Sequence, residues 1–200
     1  LLPPSEGKTA CGNPFAPDMF DYRSSSTCNY FNDLNPERRK LIDQLQARIT
    51  SEEDLEDLFG VKGDHLADAL EANNSVYKAP LMSALDRYSP GVMYKSMDFP
   101  GLPTGAQRRL LENSIIFSGL FGLLRPDDLI PNYKLKMDAS LGGEIGRVAS
   151  YWKPHLSEVL NRTVKDHVVW NMLPQVPRSA WDDEHTYSLM IDEQYVDEEA

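Results

Sequence analysis

Apolar residues recur at helical spacing in several stretches of the chain, and capping residues mark where these stretches begin. Asn35 and Pro36 suit the start of a helix, because asparagine caps helix ends and proline is tolerated in the first turn. Leu41, Leu45 and Ile49 then follow at intervals of four residues, on one face. The same reasoning predicts helices over residues 35–49, 55–59, 64–72, 80–85, 104–113 and 150–162.

Short apolar or alternating runs between these helices indicate strands. The most apolar, residues 114–118, suits a buried strand, although periodicity alone cannot separate so short a run from a helix. Residues 132–137 alternate weakly, residues 167–172 are rich in valine and tryptophan, and residues 186–191 form a further candidate. Helices and strands therefore alternate irregularly, which is typical of an α+β or mixed α/β fold.

Charge is distributed unevenly, and this changes the view of possible partners. The net charge of −11 alone argues against nucleic acid. Residues 51–74 hold eight acids and one base, and residues 181–200 hold eight acids and no lysine or arginine. Residues 75–180 carry thirteen bases and nine acids, a net charge of +4. The middle of the chain is thus mildly basic, consistent either with an anion-binding face or with ordinary mixed surface.

Composition excludes several classes of protein. With 200 residues and a hydrophobic fraction of 41%, the chain has enough apolar material for one domain with a sizeable core. No apolar run approaches the length of a membrane-spanning helix, and no signal peptide is recognisable, although a chain beginning with Leu1 is expected to be trimmed. Cys11 and Cys28 form no C-x-x-C motif, so we expect free thiols in the cytoplasm, with one disulfide as the alternative.

The segment Gly7-Lys8-Thr9 has the ending of a phosphate-binding P-loop. The first glycine of that motif would fall at Leu2, and Pro3 and Pro4 fill the turn, where proline offers no N–H to a phosphate. A nucleotide P-loop is therefore excluded. Two interpretations remain for Ser5, Lys8 and Thr9. They are either a group of polar residues able to hold an anion or part of a solvated turn.

A second candidate segment begins at Gly119 and Gly122, three residues apart after an apolar run. Such glycines allow a tight turn or close approach of the backbone to a ligand. Arg125 follows, and a guanidinium beside exposed N–H groups suits a phosphate or carboxylate. On a strand, Lys134 and Lys136 would point to the same side and extend a basic groove. Arg108 and Arg109 are further candidates for the groove, and the alternative is a packed glycine turn with Arg125 in a structural ion pair.

Metal and cofactor signatures are absent from the sequence. His155 and Glu158 share a helix face, but as one reversed pair they do not form a di-iron motif. The run from Asp182 to His185 offers ligands that are consecutive and converge poorly on one ion. We find no G-x-S-x-G, H-E-x-x-H or paired C-x-x-C motif, so no metal, cofactor or catalytic residue is predicted.

Residues 118–137, SGLFGLLRPDDLIPNYKLKM, resemble the most distinctive segment of the YaaA family of bacterial peroxide stress proteins. Further similarities follow in chain order: PPSEGKT at residues 3–9, Val76-Tyr77, Tyr151-Trp152 and the apolar run 168–173. The resemblance therefore covers essentially the whole chain. Within the distinctive segment the matching residues are Ser118, Gly119, Leu120, Gly122, Leu124, Arg125, Pro126, Asp128, Leu129, Tyr133, Leu135 and Met137.

The resemblance implies a single domain over residues 1–200, with a mixed sheet flanked by helices. It also implies a cytoplasmic protein that protects DNA under hydrogen peroxide and keeps free iron low, and it favours a protein without catalysis over an enzyme. DNA binding without sequence preference is expected in a basic cleft, with Gly119 to Gly122 as a helix-hairpin-helix-like element meeting phosphates. The DNA- or anion-binding candidates are Ser5, Lys8, Thr9, Gly119, Gly122, Arg125, Tyr133, Lys134 and Lys136.

Two departures from the family weaken this expectation. Lys78-Ala79-Pro80 stands where relatives have a glycine, and the sequence stops at Ala200 in an acidic stretch where relatives continue into a basic segment, so that either the sequence is a fragment or that segment is lost. DNA binding is therefore expected to be weak and sensitive to salt, because neutralised phosphates set its strength. The alternative is an enzyme that binds a small phosphorylated or carboxylated substrate between Lys8 and Arg125. The sequence indicates no oligomeric state.

Overall fold

In the computed structural model, which describes residues 1–16 and 30–184 together with the backbone of residues 188–190, short strands are inserted between helices of very different lengths. The helices are α1 (Asn35–Thr50), α2 (Leu55–Phe59), α3 (Asp64–Asn74), α4 (Ala84–Arg87), α5 (Val92–Met97), α6 (Thr104–Asn113), α7 (Val148–Val164) and α8 (Gln175–Arg178). The strands are β1 (Met82–Ser83), β2 (Ile116–Ser118), β3 (Gly122–Leu124), β4 (Leu129–Ile130), β5 (Ser140–Gly142), β6 (Gly146–Arg147), β7 (Val169–Asn171) and β8 (Ser188–Met190). Short 3₁₀ turns span Asn32–Leu34 and Phe99–Gly101.

The strands pair as four short ladders: β1 with β4, β2 with β3 and β5 with β6 antiparallel, and β7 with β8 parallel. The first two residues of the chain join two of these ladders. Leu2 pairs in parallel with Ile116 of β2, and the amide of Met172, just after β7, donates to the carbonyl of Leu1 at 3.1 Å. A small mixed layer results, in the order β3, β2, Leu1–Leu2, β7 and β8.

One apolar core fills the space between this layer and the longer helices. From α7, Trp152 and Leu156 are fully buried, and the indole Nε1 of Trp152 donates to the carbonyl of Gly119 at 2.9 Å. From α1, Arg38 is also fully buried; its Nε and Nη2 donate to the carbonyls of Phe121 and Leu123 at 2.8 and 2.7 Å. Side chains of the two longest helices thus hydrogen-bond to the turn and the second strand of the β2–β3 hairpin.

The predicted α+β class is confirmed, as are the helices at 35–49, 55–59, 64–72, 104–113 and 150–162, within a few residues. The strands predicted at 114–118 and 167–172 are present as β2 and β7. The candidate strand at 186–191 corresponds to β8, of which the structure describes the backbone of three residues.

Two predicted elements are wrong. Residues 80–85 are not one helix: β1 comes first and α4 starts at Ala84, where the Ser83 hydroxyl accepts from the amide of Asp86 at 3.1 Å. Residues 132–137 form no strand, although their side chains do alternate between buried and half-buried. At Lys134, the side-chain amide of Asn73 forms the hydrogen bonds that a neighbouring strand would form. It accepts from Lys134 N at 3.0 Å and donates to Lys134 O at 2.8 Å.

Candidate anion-binding site

A cavity of about 400 Å³ lies beside the turn that follows Leu2. The turn forms one wall, the extended segment 133–138 forms the second, and α8 with Pro174 before it forms the third. The polar residues on these walls are Ser5, Glu6, Lys8, Tyr133, Lys134, Lys136, Asp138 and Gln175. The structure thus brings together five of the residues singled out from the sequence, from two segments more than 120 residues apart.

The turn is closed by its own polar groups. The buried Ser5 hydroxyl donates to the carbonyl of Gly7 at 2.7 Å, and Lys8 Nζ donates to the carbonyl of Ser5 at 3.0 Å. Gly91 packs against this turn so closely that a Cβ there would lie 2.5 Å from Ser5 Oγ. Lys8 is therefore held inward by local hydrogen bonds rather than by a neighbouring carboxylate.

Thr9 points away from the cavity, contrary to the prediction from the sequence. Its hydroxyl donates to the carbonyl of Asp86 and lies 3.0 Å from the hydroxyl of Ser89, while its amide donates to the carbonyl of Arg87 at 2.8 Å. Those contacts fix the chain to the end of α4. Thr9 therefore helps to position the turn and does not line the cavity.

Arg87, which the sequence analysis missed, anchors the segment that carries Lys8. Its guanidinium is fully buried and donates to the carbonyls of Thr9, Cys11 (2.9 Å), Pro80 (3.1 Å) and Ile130 (3.3 Å). One arginine therefore fastens the N-terminal segment to the segments around β1 and β4. No local pattern distinguishes it, because every acceptor is a backbone carbonyl that any residue supplies.

Lys8 occupies an unusual electrostatic position. Its Nζ lies 4.4 Å from the centroid of the Tyr133 ring and 5.6 Å from that of Tyr88. The pKa of Lys8 is lowered to about 7: burial is the leading cause, the charges of Lys134 and Arg87 act in the same direction, and Glu6 opposes them. A substantial fraction of Lys8 is consequently an uncharged amine near neutral pH.

The charge on Lys8 has a predictable cost to folding. The pKa is about 7 in the folded chain and 10.5 as a free side chain, so between these values the unfolded chain binds more protons. Stability therefore rises as the pH rises through this range. We expect Lys8→Met to be more stable than the parent at pH 7, by roughly 2–3 kcal/mol once partial exposure is allowed for, and the gain to shrink towards pH 10.5.

Urea unfolding of both proteins across that pH range measures this difference. Lys165→Met, which removes an exposed lysine at the end of α7, is the control and should give a small, flat difference. If Lys8→Met were instead the less stable protein at neutral pH, the contacts of the ammonium with the tyrosine rings and the Ser5 carbonyl would stabilise the fold by more than its burial costs.

Tyr133 presents its ring rather than its hydroxyl to Lys8. The hydroxyl lies 2.5 Å from that of Tyr88 and 2.8 Å from that of Ser118, which in turn accepts from the amide of Phe121 at 3.0 Å. Burial raises the pKa of Tyr133 to about 12. This buried chain of hydroxyls locks the ring in place and keeps the phenol neutral, so we assign Tyr133 a positioning role.

Lys134 and Lys136 extend from the opposite wall, one on each side of the buried Leu135. Lys136 Nζ lies 2.8 Å from Glu6 Oε1, and this contact, the leading cause, lowers the pKa of the Glu6 carboxyl. Both lysines are partly exposed, whereas Glu6 is largely exposed and poorly placed to neutralise them fully. Lys8, Lys134 and Lys136, which we call the lysine cluster, thus border one cavity together with the carboxylates of Glu6 and Asp138, so that its lining has a formal surplus of one positive charge.

Arg125 lies elsewhere, so the cavity between Lys8 and Arg125 predicted as the alternative does not form. The Arg125 guanidinium donates to the carbonyls of Ser114 (3.2 Å) and Glu112 at the end of α6. Its amide donates to Asp128 Oδ2 at 2.6 Å, and burial raises the pKa of that carboxyl to about 7. Arg125 borders a second cavity of about 430 Å³ near β7 and caps a helix end rather than completing the lysine cluster.

Gly119 and Gly122 also lie away from the cavity, in the protein core. Both are buried in the β2–β3 hairpin: a Cβ on Gly119 would lie 2.4 Å from the carbonyl oxygen of Leu135, and one on Gly122 would lie 2.9 Å from Leu156. Neither residue borders the lysine-lined cavity. The two glycines permit close packing of the core at these positions.

The remaining candidates lie apart from the cavity. Arg108 pairs with Glu112 across one turn of α6, and neither Arg108 nor Arg109 borders the lysine cluster. His155 lies 3.7 Å from Glu37 rather than binding with Glu158. Among residues 1–16 and 30–184, no group of three potential ligands is placed to hold a metal ion. Cys11 is an exposed free thiol, while Cys28 and His185 lie outside the described residues.

Fold and site together define an α+β protein with a lysine-lined cavity suited to an anion. The chain matches the family model of the peroxide stress protein YaaA over residues 1–199. The chain therefore belongs to the YaaA family. This confirms the resemblance drawn from the distinctive segment at 118–137. No helix in the described part of the chain is long and apolar enough to cross a membrane.

Similar proteins come from several bacterial groups. The chain is 30% identical to a UPF0246 protein of Streptomyces coelicolor, over 90% of this chain and 66% of that protein. It is 29% identical to an uncharacterised protein of Campylobacter jejuni, over 86% of this chain and 66% of that one. A UPF0246 protein of Corynebacterium glutamicum is 34% identical over 80% of this chain and 60% of its own length. The chain thus spans about two thirds or less of these relatives.

Proposed function

We propose that this chain acts in the cytoplasm as a peroxide stress protein that binds the phosphate backbone of DNA, without reading its sequence, through the lysine cluster. The observation that carries this proposal is the convergence of three lysines on one cavity in a chain of net charge −11. A backbone phosphate is the ligand that such a local surplus attracts, and it needs no base contact. Membership of the YaaA family supplies the link to peroxide stress.

The proposal includes the expectation that the protein helps to keep free iron low. This part rests on the family resemblance. Since no three ligands converge within the described residues, we do not assign direct iron binding to them. DNA whose phosphates are covered by lysines offers fewer sites to iron cations, which compete for the same charges.

Binding of a duplex should be weak and steeply dependent on salt. Removing two charges with Lys134→Ala/Lys136→Ala should weaken binding about tenfold or more near 50 mM salt and reduce the slope of log K against log salt by about 2. Both side chains are partly exposed, so the fold should tolerate the change. Fluorescence anisotropy with a labelled duplex between about 50 and 200 mM salt measures both quantities.

Arg109→Ala/Lys165→Ala removes the same charge from sites away from the cavity and is the matched control. Equal losses in the two double variants would mean that overall charge, not the lysine cluster, governs binding. No binding by the parent at low salt would remove DNA from the proposal.

A second function is favoured by the shape of the cavity. Its volume of about 400 Å³ lies within the range of small-molecule sites, and Tyr133, Leu135 and Met137 supply apolar lining. A small phosphorylated or carboxylated ligand would fit there, bound by the lysine cluster without Arg125. Protection of the parent against thermal unfolding by such an anion, absent in Lys134→Ala/Lys136→Ala and without duplex binding, would favour this function.

A further inference from the structure

The three lysines of the cluster are not equivalent. Lys136 is paired with the Glu6 carboxylate, and Lys134 reaches the cavity from a half-buried position. Lys8 is half-buried as a residue, but its Nζ is turned inward, where the Ser5 carbonyl accepts its hydrogen bond and aromatic rings cover one side. Phosphate binding calls for ammonium groups that reach the ligand and does not explain a third lysine whose amine is turned inward.

An enclosed lysine without a carboxylate partner is typical of amine nucleophiles, because only the uncharged amine has a free electron pair. Desolvation is the leading cause of its weakened proton affinity. The charged groups that act on Lys8 are Lys134 and Arg87, which lower its pKa to about 7 with that desolvation, and Glu6, which raises it. The Tyr88 and Tyr133 phenols that face it are neutral, since burial raises the pKa of both.

We propose that Lys8 forms an imine with an aldehyde that carries a phosphate nearby, while Lys134 and Lys136 hold that phosphate. This inference rests on the proposed function, because the same lysines bind the anion. The geometry supports it in two ways. Lys8 borders the cavity from within the turn, and the two charged lysines approach from the opposite wall. One ligand can therefore meet the amine at one end and the ammonium groups at the other.

The reaction needs no other reactant. The Nζ electron pair attacks the carbonyl carbon, a C–N bond forms, and the electron pair of the C=O bond moves to the oxygen. The nitrogen gives up one proton and that oxygen takes one, giving a carbinolamine. The hydroxyl is then protonated and leaves as water while the nitrogen loses its second hydrogen, so that a C=N bond remains. No electron is gained or lost by the protein, and Glu6 lies at the cavity as a carboxylate able to relay the protons.

An aldehyde close to a phosphate can come from two sources. One is a free metabolite with an aldehyde and a phosphate. The other is a DNA strand that has lost a base, because the exposed sugar opens to an aldehyde between two phosphates. Both would place an electrophilic carbon within reach of a phosphate-binding group, so the experiment includes one probe for each source.

Pyridoxal 5′-phosphate serves as the free probe, and a duplex containing one abasic site serves as the DNA probe. Each is incubated with the full chain and borohydride, which reduces an imine to a stable amine, and the labelled lysine is found by peptide mass spectrometry. We expect labelling of Lys8 to exceed that of any exposed lysine about tenfold, because burial favours the uncharged, nucleophilic amine of Lys8. Pyridoxal without its phosphate should label Lys8 about tenfold less.

Variants separate the roles of the three lysines. Lys8→Met should lose the label, whereas Lys134→Ala/Lys136→Ala should keep Lys8 reactive towards pyridoxal but lose the advantage of the phosphate. The rate of labelling at Lys8 should rise with pH and level off just above about 7, whereas that of a lysine with an ordinary pKa keeps rising to a much higher pH. Lys165→Ala, remote from the cavity, should label as the parent does. Urea unfolding confirms that each variant is folded.

The outcomes also separate this inference from the proposed function. Binding of an intact duplex, measured by anisotropy, reports on the proposed function alone. Labelling of Lys8 by either probe supports the inference, and the probe that succeeds identifies the source. Labelling spread over surface lysines according to their exposure, or no label on Lys8 from either probe, overturns the inference even if the intact duplex binds.

Discussion

Gly119→Ala is expected to destabilise the protein by about 3 kcal/mol or more. The added Cβ would lie 2.4 Å from the carbonyl oxygen of Leu135 and 3.1 Å from the carbonyl carbon of Lys136. Both atoms belong to the backbone, so no side-chain rotation relieves the clash. The β2–β3 hairpin and the segment 133–138 would have to move apart, which breaks core packing and shifts one wall of the cavity.

Gly105→Ala is the control for this substitution. Gly105 is exposed in α6, and a Cβ there meets only the end of the flexible Arg109 side chain, at 3.8 Å. Alanine should stabilise that helix by roughly 0.5–1 kcal/mol. Urea midpoints of the two variants should therefore move in opposite directions. A loss below about 1 kcal/mol for Gly119→Ala would contradict the close approach of the hairpin to Leu135.

Arg87→Met is expected to cost about 3–5 kcal/mol and to disturb the cavity as well. Hydrogen bonds from a charged donor contribute roughly 1.5–3 kcal/mol each, and buried carbonyls left unpaired add a penalty. Here the carbonyls of Thr9, Cys11, Pro80 and Ile130 all accept from this one guanidinium. Methionine fills comparable space without donors, so the loss is chiefly that of hydrogen bonding.

The same substitution should change the chemistry of Lys8. Arg87 is one of the charges that lower the pKa of Lys8, so its removal should raise that pKa and slow imine formation at neutral pH. Arg162→Met, which removes a surface pair with Asp33, is the control and should cost less than about 1 kcal/mol. If Arg87→Met unfolded no more easily than this control, its four carbonyl contacts would not anchor the N-terminal segment.

Buried arginines are a recurring device in this small fold. Arg38 joins α1 to the carbonyls of Phe121 and Leu123 in the β2–β3 hairpin, and Arg87 joins the N-terminal segment to β4. The strands are only two or three residues long, so regular ladders satisfy few backbone groups. A guanidinium carries several fixed donors and can reach carbonyls from different segments at once. Side chains thereby replace part of the hydrogen bonding that longer strands provide elsewhere.

Local sequence patterns predicted the secondary structure correctly where the spacing of apolar residues matches the period of the element. The apolar positions of α1, α3 and α7 lie on one face and predict helices whose bounds the structure reproduces closely. Residues 114–118 are apolar throughout and form β2 in the interior. By contrast, the alternation at 132–137 suggested a strand, yet the partner of Lys134 is the side chain of Asn73, about sixty residues earlier. No local pattern reveals such a substitute.

The sequence by itself determined the α+β class, the main helices and the family, and it singled out Lys8, Tyr133, Lys134 and Lys136, which line one cavity in the structure. Only the tertiary structure decided which basic residues share a cavity. Arg125 and Lys8 both suited an anion in sequence, but Arg125 turns to the end of α6 while Lys8 turns inward beneath Tyr133. The physical reason is that charge and residue type are local properties, whereas burial and convergence depend on contacts between segments distant in the chain.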